Sequence, residues 1–353
     1  MMSKGAASMS LAVVVHAPRD LRLETVEVPA LGPTDVEVRV GAGGICGSDL
    51  HYYQDGGFGT VRIKEPMVLG HEVAGTVTAV GEAVRRVRPG DKVAVDPSRP
   101  CSACRYCLEG LPRHCLNMLF YGSAMRFPHV QGGFRQRLVA EERQCVPVPA
   151  DLPLEKAAFG EPLAVCLHAV NRAGPLLGRK VLITGAGPIG MLTLLAARSA
   201  GAAEVVITDV ADAPLSLARK IGADEAVNVA TDGAAMERFH VDKGFFDVMF
   251  EASGNPVALR QGIACVRPAA VVVLIGIGGE ASLMLNVVVA KEVELRGTFR
   301  FDREFAWAVD AIASGRIDPS PLLTDVMPVR DAVKAFEHAA DRSKALKVQL
   351  SFD

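Results

Sequence analysis

Two patterns of apolar positions divide the 353-residue chain near residue 160. Before that point, short Val-containing runs alternate with polar residues, as in Val36-Glu37-Val38-Arg39-Val40 and Thr76-Val77-Thr78-Ala79-Val80. A period of two puts successive side chains on opposite faces, so these runs predict half-buried strands in a mostly β region. Pro89-Gly90-Asp91 reads as a turn into a further strand, Lys92-Val93-Ala94-Val95. The run Leu11-Ala12-Val13-Val14-Val15 predicts a first strand behind a loose tail, Met1 to Ser10. The run is short and charge resumes at Arg19-Asp20, so this end does not read as a secretory signal.

After residue 160 the texture changes. Apolar strands predicted at Lys180–Thr184, Glu204–Asp209, Asp247–Phe250, Val271–Ile275 and Glu294–Gly297 are interleaved with helical segments over 188–200 and 215–221. Such β-α alternation predicts an α/β fold with a doubly wound parallel sheet. Helices follow over 304–313 and 330–340, then a last strand, Leu346–Leu350. We expect residues 301–353 to return to the first domain, 1–160, leaving 161–300 as the cofactor domain.

Composition narrows the class. Half the residues are hydrophobic, 22% are charged and the formal net charge is -2. That balance suits a soluble enzyme and calls for neither nucleic acid nor a membrane surface. No uncharged apolar run approaches the roughly 18 residues of a membrane-spanning helix, and a cytoplasmic location is expected. The cysteines are clustered, which in that setting favours metal over disulfides.

Three constellations carry chemistry. Gly185-Ala186-Gly187-Pro188-Ile189-Gly190 fits the dinucleotide fingerprint, and it follows a predicted strand and opens a predicted helix. Glycines there permit a tight turn and close approach of the backbone to a pyrophosphate. Asp209 ends the next strand and suits ribose hydroxyls, which favours NAD over NADP; its bland reading is a helix-capping aspartate. The second constellation is Cys101-x2-Cys104-x2-Cys107-x7-Cys115. Four thiolates close a tetrahedral zinc shell with no position for substrate, a structural site; an iron–sulfur cluster and a disulfide pair are the alternatives. The third joins Cys46, in Gly44-Ile45-Cys46-Gly47-Ser48-Asp49-Leu50-His51, with Gly70-His71-Glu72. Cys46, His71 and either Glu72 or Glu161 form a three-ligand set that leaves a zinc position open. Asp49 is a natural partner for the imidazole of His71.

Together these motifs resemble the zinc-dependent medium-chain dehydrogenases, in particular the sorbitol dehydrogenase-like polyol enzymes, over nearly the whole chain. Within them the bacterial L-idonate dehydrogenases are similar through residues 45–54, through Tyr121-Gly122-Ser123-Ala124-Met125, Phe127-Pro128-His129-Val130 and Gly132-Gly133-Phe134, and through Arg296-Gly297 with Phe299-Arg300-Phe301. The resemblance implies a GroES-like catalytic domain, a Rossmann domain, catalytic and structural zinc, NAD, and a homodimer or homotetramer. It implies a small aldonate or polyol substrate, whose hydroxyl is polarised by zinc and whose hydride passes to the nicotinamide. Tyr52, Glu161 and Arg300 fall where such enzymes contact substrate or its relay water, and Ile275, Gly276, Ile277, Thr298, Phe299 and Arg300 where they meet the nicotinamide end. Ser48 and His51 are expected in proton release, though His51 also reads as an ordinary surface histidine. Arg300, Arg126 and His129 are candidates for an aldonate carboxylate, and Arg126 reads equally well as a solvated charge. Two departures stand out: Phe301 replaces a usual tyrosine, and Ala213-Pro214 occupy a region that commonly carries arginine.

Overall fold

The computed structural model describes residues 8–352, so most of the expected N-terminal tail lies outside the described residues. The chain divides into two compact units. One runs to Glu161 and takes in Phe305–Ala313 and the chain from Leu323 onward; the other comprises Pro162–Glu304 and Ser314–Leu322.

In the first unit, the strand Asp35–Gly44 pairs antiparallel with Glu72–Val80, with Arg137–Glu141 and with Lys347–Ser351. The sheet continues outward through Lys92–Val95 to Cys145–Val148 on one side and Leu323–Pro328 on the other. The alternation read from the sequence is realised literally. Val36, Val38 and Val40 are buried to 1% exposure or less and pack with Val73, Val77 and Val93. A second, smaller sheet pairs Met9–Ala17 with Asp20–Glu27 and Met67–Val68.

The second unit holds a six-stranded parallel sheet. Its spatial order is Glu225–Asn228, Glu204–Asp209, Lys180–Thr184, Phe246–Glu251, Val266–Leu274, Glu294–Gly297. Numbered along the chain that is 3-2-1-4-5-6, the order of a dinucleotide-binding sheet with its switch point beside the first strand. The strand Glu225–Asn228 escaped the sequence reading because it is short and only two of its residues, Ala226 and Val227, are buried. The fifth strand begins earlier than its apolar run predicts and contains Pro268. A register shift between Phe246 and Val248 accompanies that irregular start, as proline in a sheet requires.

Candidate active site and metal centres

Strand register assembles the first centre. Gly44 is the partner of Glu72 across the antiparallel pair, so the end of one strand meets the beginning of the next. Cys46 follows Gly44 and caps the helix Gly47–Asp55, while His71 immediately precedes Glu72. Cys46 Sγ, a His71 ring nitrogen and a Glu72 carboxylate oxygen consequently lie within 4.8 Å of one another. A Cβ at Gly44 would stand 2.1 Å from Glu72 Oε2, so only glycine leaves room for that carboxylate.

Asp49 ties the two segments together. It is fully buried; its Oδ2 accepts the N–H of Cys46 at 3.0 Å and its Oδ1 that of Gly70 at 3.1 Å. Its distance to His71 Nδ1 is 3.8 Å, so it holds the backbone on both sides of the ligand set more directly than it holds the imidazole. His71 itself is 6% exposed, and its Nδ1 has no hydrogen-bond partner.

The sequence reading missed Lys347. The last strand runs antiparallel to Asp35–Gly44 and delivers this lysine, 3% exposed, against Glu72. Its Nζ is ion-paired with Glu72 Oε2 and donates to the Ile45 carbonyl at 3.0 Å. The one available signal was a lysine inside an otherwise apolar strand, where burial requires a partner. Glu161 opens the helix Gly160–Ala173 and is buried, outside the 4.8 Å group. Burial raises its carboxyl well above the ordinary range; His71 opposes this, while Glu72 and Cys46 reinforce it. Burial also pushes the Cys46 thiol up to about 12, with Glu72 adding to the effect and Lys347 opposing it. A thiol so placed becomes a thiolate when a cation joins it. The sulfur, nitrogen and oxygen donor set, with an unpartnered buried ring nitrogen, fits one zinc ion with a position left open.

The other expected participants are more scattered. Ser48 is half-buried in the first turn of the Gly47–Asp55 helix. His51 is exposed and 3.3 Å from Asp55. Tyr52 is buried, its hydroxyl accepting the N–H of Ala124 at 3.0 Å. Arg126 is exposed and donates to the Asn117 carbonyl. His129 is committed at both nitrogens: Nδ1 donates to the Arg126 carbonyl at 2.7 Å and Nε2 accepts from Lys64 N–H at 2.8 Å. It has no nitrogen left for a substrate carboxylate.

The cysteine lobe is built locally. Cys101, Cys104, Cys107 and Cys115 bring their sulfurs within 4.8 Å of one another, and none is in a disulfide. Zinc–sulfur bonds of about 2.3 Å in a tetrahedron put sulfurs about 3.8 Å apart. The Cys104–Cys107 and Cys104–Cys115 separations are 3.6 and 3.9 Å, the spacing of four ligands on one ion. Backbone N–H groups converge on the sulfurs, from Cys101 and Asn117 onto Cys115 and from Cys104 onto Cys101. Such donors from Ala103 and Cys104 hold the Cys101 thiol down at about 6.

In the second unit Gly185 adopts φ +93, and a Cβ there would meet the backbone of Ser253 at 2.9 Å. A Cβ at Gly190 would lie 1.8 Å from the Gly185 carbonyl oxygen. Gly187 caps the helix Pro188–Ser199, with Pro188 and Ile189 in its first turn. Asp209 Oδ2 accepts the Ala186 N–H at 2.6 Å, placing the acid against the glycine loop. A second residue missed in the sequence is Glu251, 3% exposed. Its carboxylate accepts from the N–H of Ser253 at 2.8 Å and of Gly254 at 3.0 Å, and its carbonyl from Ile275 and Gly276 at 2.8 and 2.9 Å. One residue thereby fixes both loops beyond the strand ends. Ile277 and Phe299 are exposed, Thr298 Oγ1 is buried without a hydrogen-bond partner, and Arg300 has its guanidinium 4.9 Å from the Phe299 ring.

Residues 32–150 match the alcohol dehydrogenase GroES-like domain and residues 188–314 the zinc-binding dehydrogenase model. The chain belongs to the zinc-dependent medium-chain alcohol dehydrogenases, oxidoreductases that use zinc and a nicotinamide dinucleotide. Within that family it is 46% identical to L-idonate 5-dehydrogenase (NAD(P)(+)) of Escherichia coli K12, over 89% of this chain and 91% of that one. Human sorbitol dehydrogenase is 36% identical over 100% of this chain and 98% of its own. The crystal structure of the Escherichia coli L-idonate 5-dehydrogenase superposes with a TM-score of 0.93 at 42% identity, covering 98% of this chain and 99% of that chain.

Proposed function

We propose that this chain oxidises L-idonate to 5-keto-D-gluconate with NAD⁺. The 46% identity to L-idonate 5-dehydrogenase carries the substrate reading, and the Cys46–His71–Glu72 group carries the chemistry. Those three residues would hold the catalytic zinc. Zinc bound there supplies a Lewis acid that polarises an alcohol oxygen. Asp49 and Lys347 keep the ligand segments and Glu72 in place. The alcohol proton leaves through Ser48, His51 or Glu161. Gly185–Gly190 would hold the pyrophosphate of a nicotinamide dinucleotide and Asp209 would accept hydrogen bonds from its ribose hydroxyls; bound there, the group would supply the hydride acceptor. That acid repels a 2′-phosphate and favours NAD over NADP. Cys101, Cys104, Cys107 and Cys115 would hold a structural zinc. We also infer a homodimer or homotetramer in the cytoplasm, as the resemblance to the polyol dehydrogenases implies; among the described residues no helix is long and apolar enough to cross a membrane.

A second reading, oxidation of a neutral polyol, draws on the similarity to sorbitol dehydrogenases. Steady-state rates on L-idonate, D-gluconate, sorbitol, xylitol and L-threonine, each with NAD⁺ and NADP⁺, separate the two. Turnover of neutral polyols alone rejects the aldonate. Arg300→Ala sharpens the result: the KM for L-idonate should rise more than that for sorbitol, and equal losses remove Arg300 as the carboxylate anchor.

A further inference from the structure

The first unit contains a cavity of about 310 Å³ lined by, among others, Arg99, Leu119, Tyr121, Gln131, Arg135 and Leu138. None of the residues around Cys46 and His71 lines it. Phe120 separates the two places, its ring 5.6 Å from His71 while its neighbours Leu119 and Tyr121 line the cavity.

Arg135 is the unusual member. Gly132-Gly133 turn the chain, Phe134 enters the core at 0% exposure, and the next residue, only 7% exposed, lines the cavity. Its Nε donates to the Gly132 carbonyl at 2.9 Å. No carboxylate among the described residues pairs with it. The other polar side chains of the cavity each have a partner of their own. Arg99 Nε is 3.4 Å from Glu141. Tyr121 donates its hydroxyl hydrogen between the Val139 carbonyl and Gln144, 3.3 Å from each, and Gln131 Oε1 accepts the Val68 N–H at 2.8 Å. His129, as described, is spent on backbone. One guanidinium thus brings an uncompensated positive charge and unused N–H donors to a mostly apolar chamber. Burial weakens its hold on its proton, with only Tyr121 opposing. Buried charge without a partner is costly, and planar N–H forks match oxyanions.

We propose that this cavity binds a small organic oxyanion, a carboxylate or a phosphate ester, with its head on Arg135 and its apolar body against Leu119, Val130 and Leu138. Its size suits a molecule larger than an inorganic ion. The test is calorimetric titration of the zinc-loaded enzyme, saturated with NADH, using benzoate and phenyl phosphate as probes and benzamide as the neutral control. One saturable site per chain is expected for at least one anion and none for benzamide. Benzoate alone identifies a carboxylate site, phenyl phosphate alone a phosphate site. Arg135→Gln should weaken binding at least about tenfold, with Arg135→Lys recovering part of it. Cys46→Ser should leave it unchanged, which separates it from binding at the metal. If Arg135→Gln fails to fold, Arg99→Gln, an exposed change, should weaken binding about threefold. No saturable binding, or affinity indifferent to both arginines, overturns the proposal and leaves Arg135 solvated by water alone.

Discussion

The two candidate zinc centres are built in opposite ways. The cysteine lobe draws all its ligands from residues 101–115, and its sulfurs are oriented by backbone N–H groups of the same loop. The Cys46 centre draws on three strands that are distant in sequence, with Gly44 opposite both Glu72 and Gln349. A locally built site depends on its own turn geometry. A site built by register depends on the whole sheet, and its neighbours Asp49 and Lys347 are buried charges that the sheet must hold in place. Under the proposed function, the lobe answers to stability and the register-built centre to chemistry.

Removing ligands breaks this comparison most directly. Cys46→Ser should lower kcat/KM by about a thousandfold or more, because the Lewis acid contributes several kcal/mol to the transition state. Zinc content by elemental analysis should fall from about two to about one per chain, with little change in Tm. Cys104→Ser should also remove one zinc, but with a marked fall in Tm and much of the specific activity of the folded fraction retained. If both variants lose activity equally at temperatures where both are folded, the division of labour is wrong.

The difference also explains what was legible in the sequence. The lobe could be read because its spacing is its geometry. The alternating runs around Val38 and Val77 and the strand–glycine–helix order at Gly185 were legible for the same local reason. Lys347 was not, because its role arises only when the last strand lies beside the first unit's central strand, some 300 residues upstream. Glu251 was hidden similarly: its partners at Ser253 and Gly254 are near in sequence, but Ile275 and Gly276 arrive by strand pairing. For Asp49 the sequence suggests an imidazole partner, whereas its stronger bonds are to the backbone of both ligand segments. The choice between Glu72 and Glu161 stayed open because two acids that far apart can be ranked only by the register that joins Glu72 to Gly44.

A smaller effect tests whether the second unit is equally local. Asp209 lies within hydrogen-bond reach of the glycine loop through Ala186. Asp209→Ser should reduce kcat/KM with NAD⁺ about tenfold, since ribose bonds to a charged acceptor contribute roughly 1.5 kcal/mol. The ratio of NADP⁺ to NAD⁺ efficiency should rise. An unchanged ratio would return Asp209 to a plain loop-capping role.

The smallest expected effect comes from a buried pair that needs no metal. Glu304 accepts from His168 at 3.0 Å and from Asn171 at 2.9 Å, and all three belong to the second unit. Burial alone would raise its carboxyl, but the hydrogen bonds from His168 and Asn171 outweigh it and hold the group at about 2. A carboxylate whose folded pKa is depressed adds stability above its unfolded value of about 4.3, and loses it as pH falls toward 2. After discounting for solvent screening the contribution is roughly 1 kcal/mol. Glu304→Gln should therefore lower Tm by about 3 °C near neutral pH, with the gap to the wild type closing as pH falls below about 4. The gap should be the same with and without a zinc chelator. A gap that widened on chelation would mean that this anchor is coupled to the metal centres, and the contrast between local and register-built stability would need to include it.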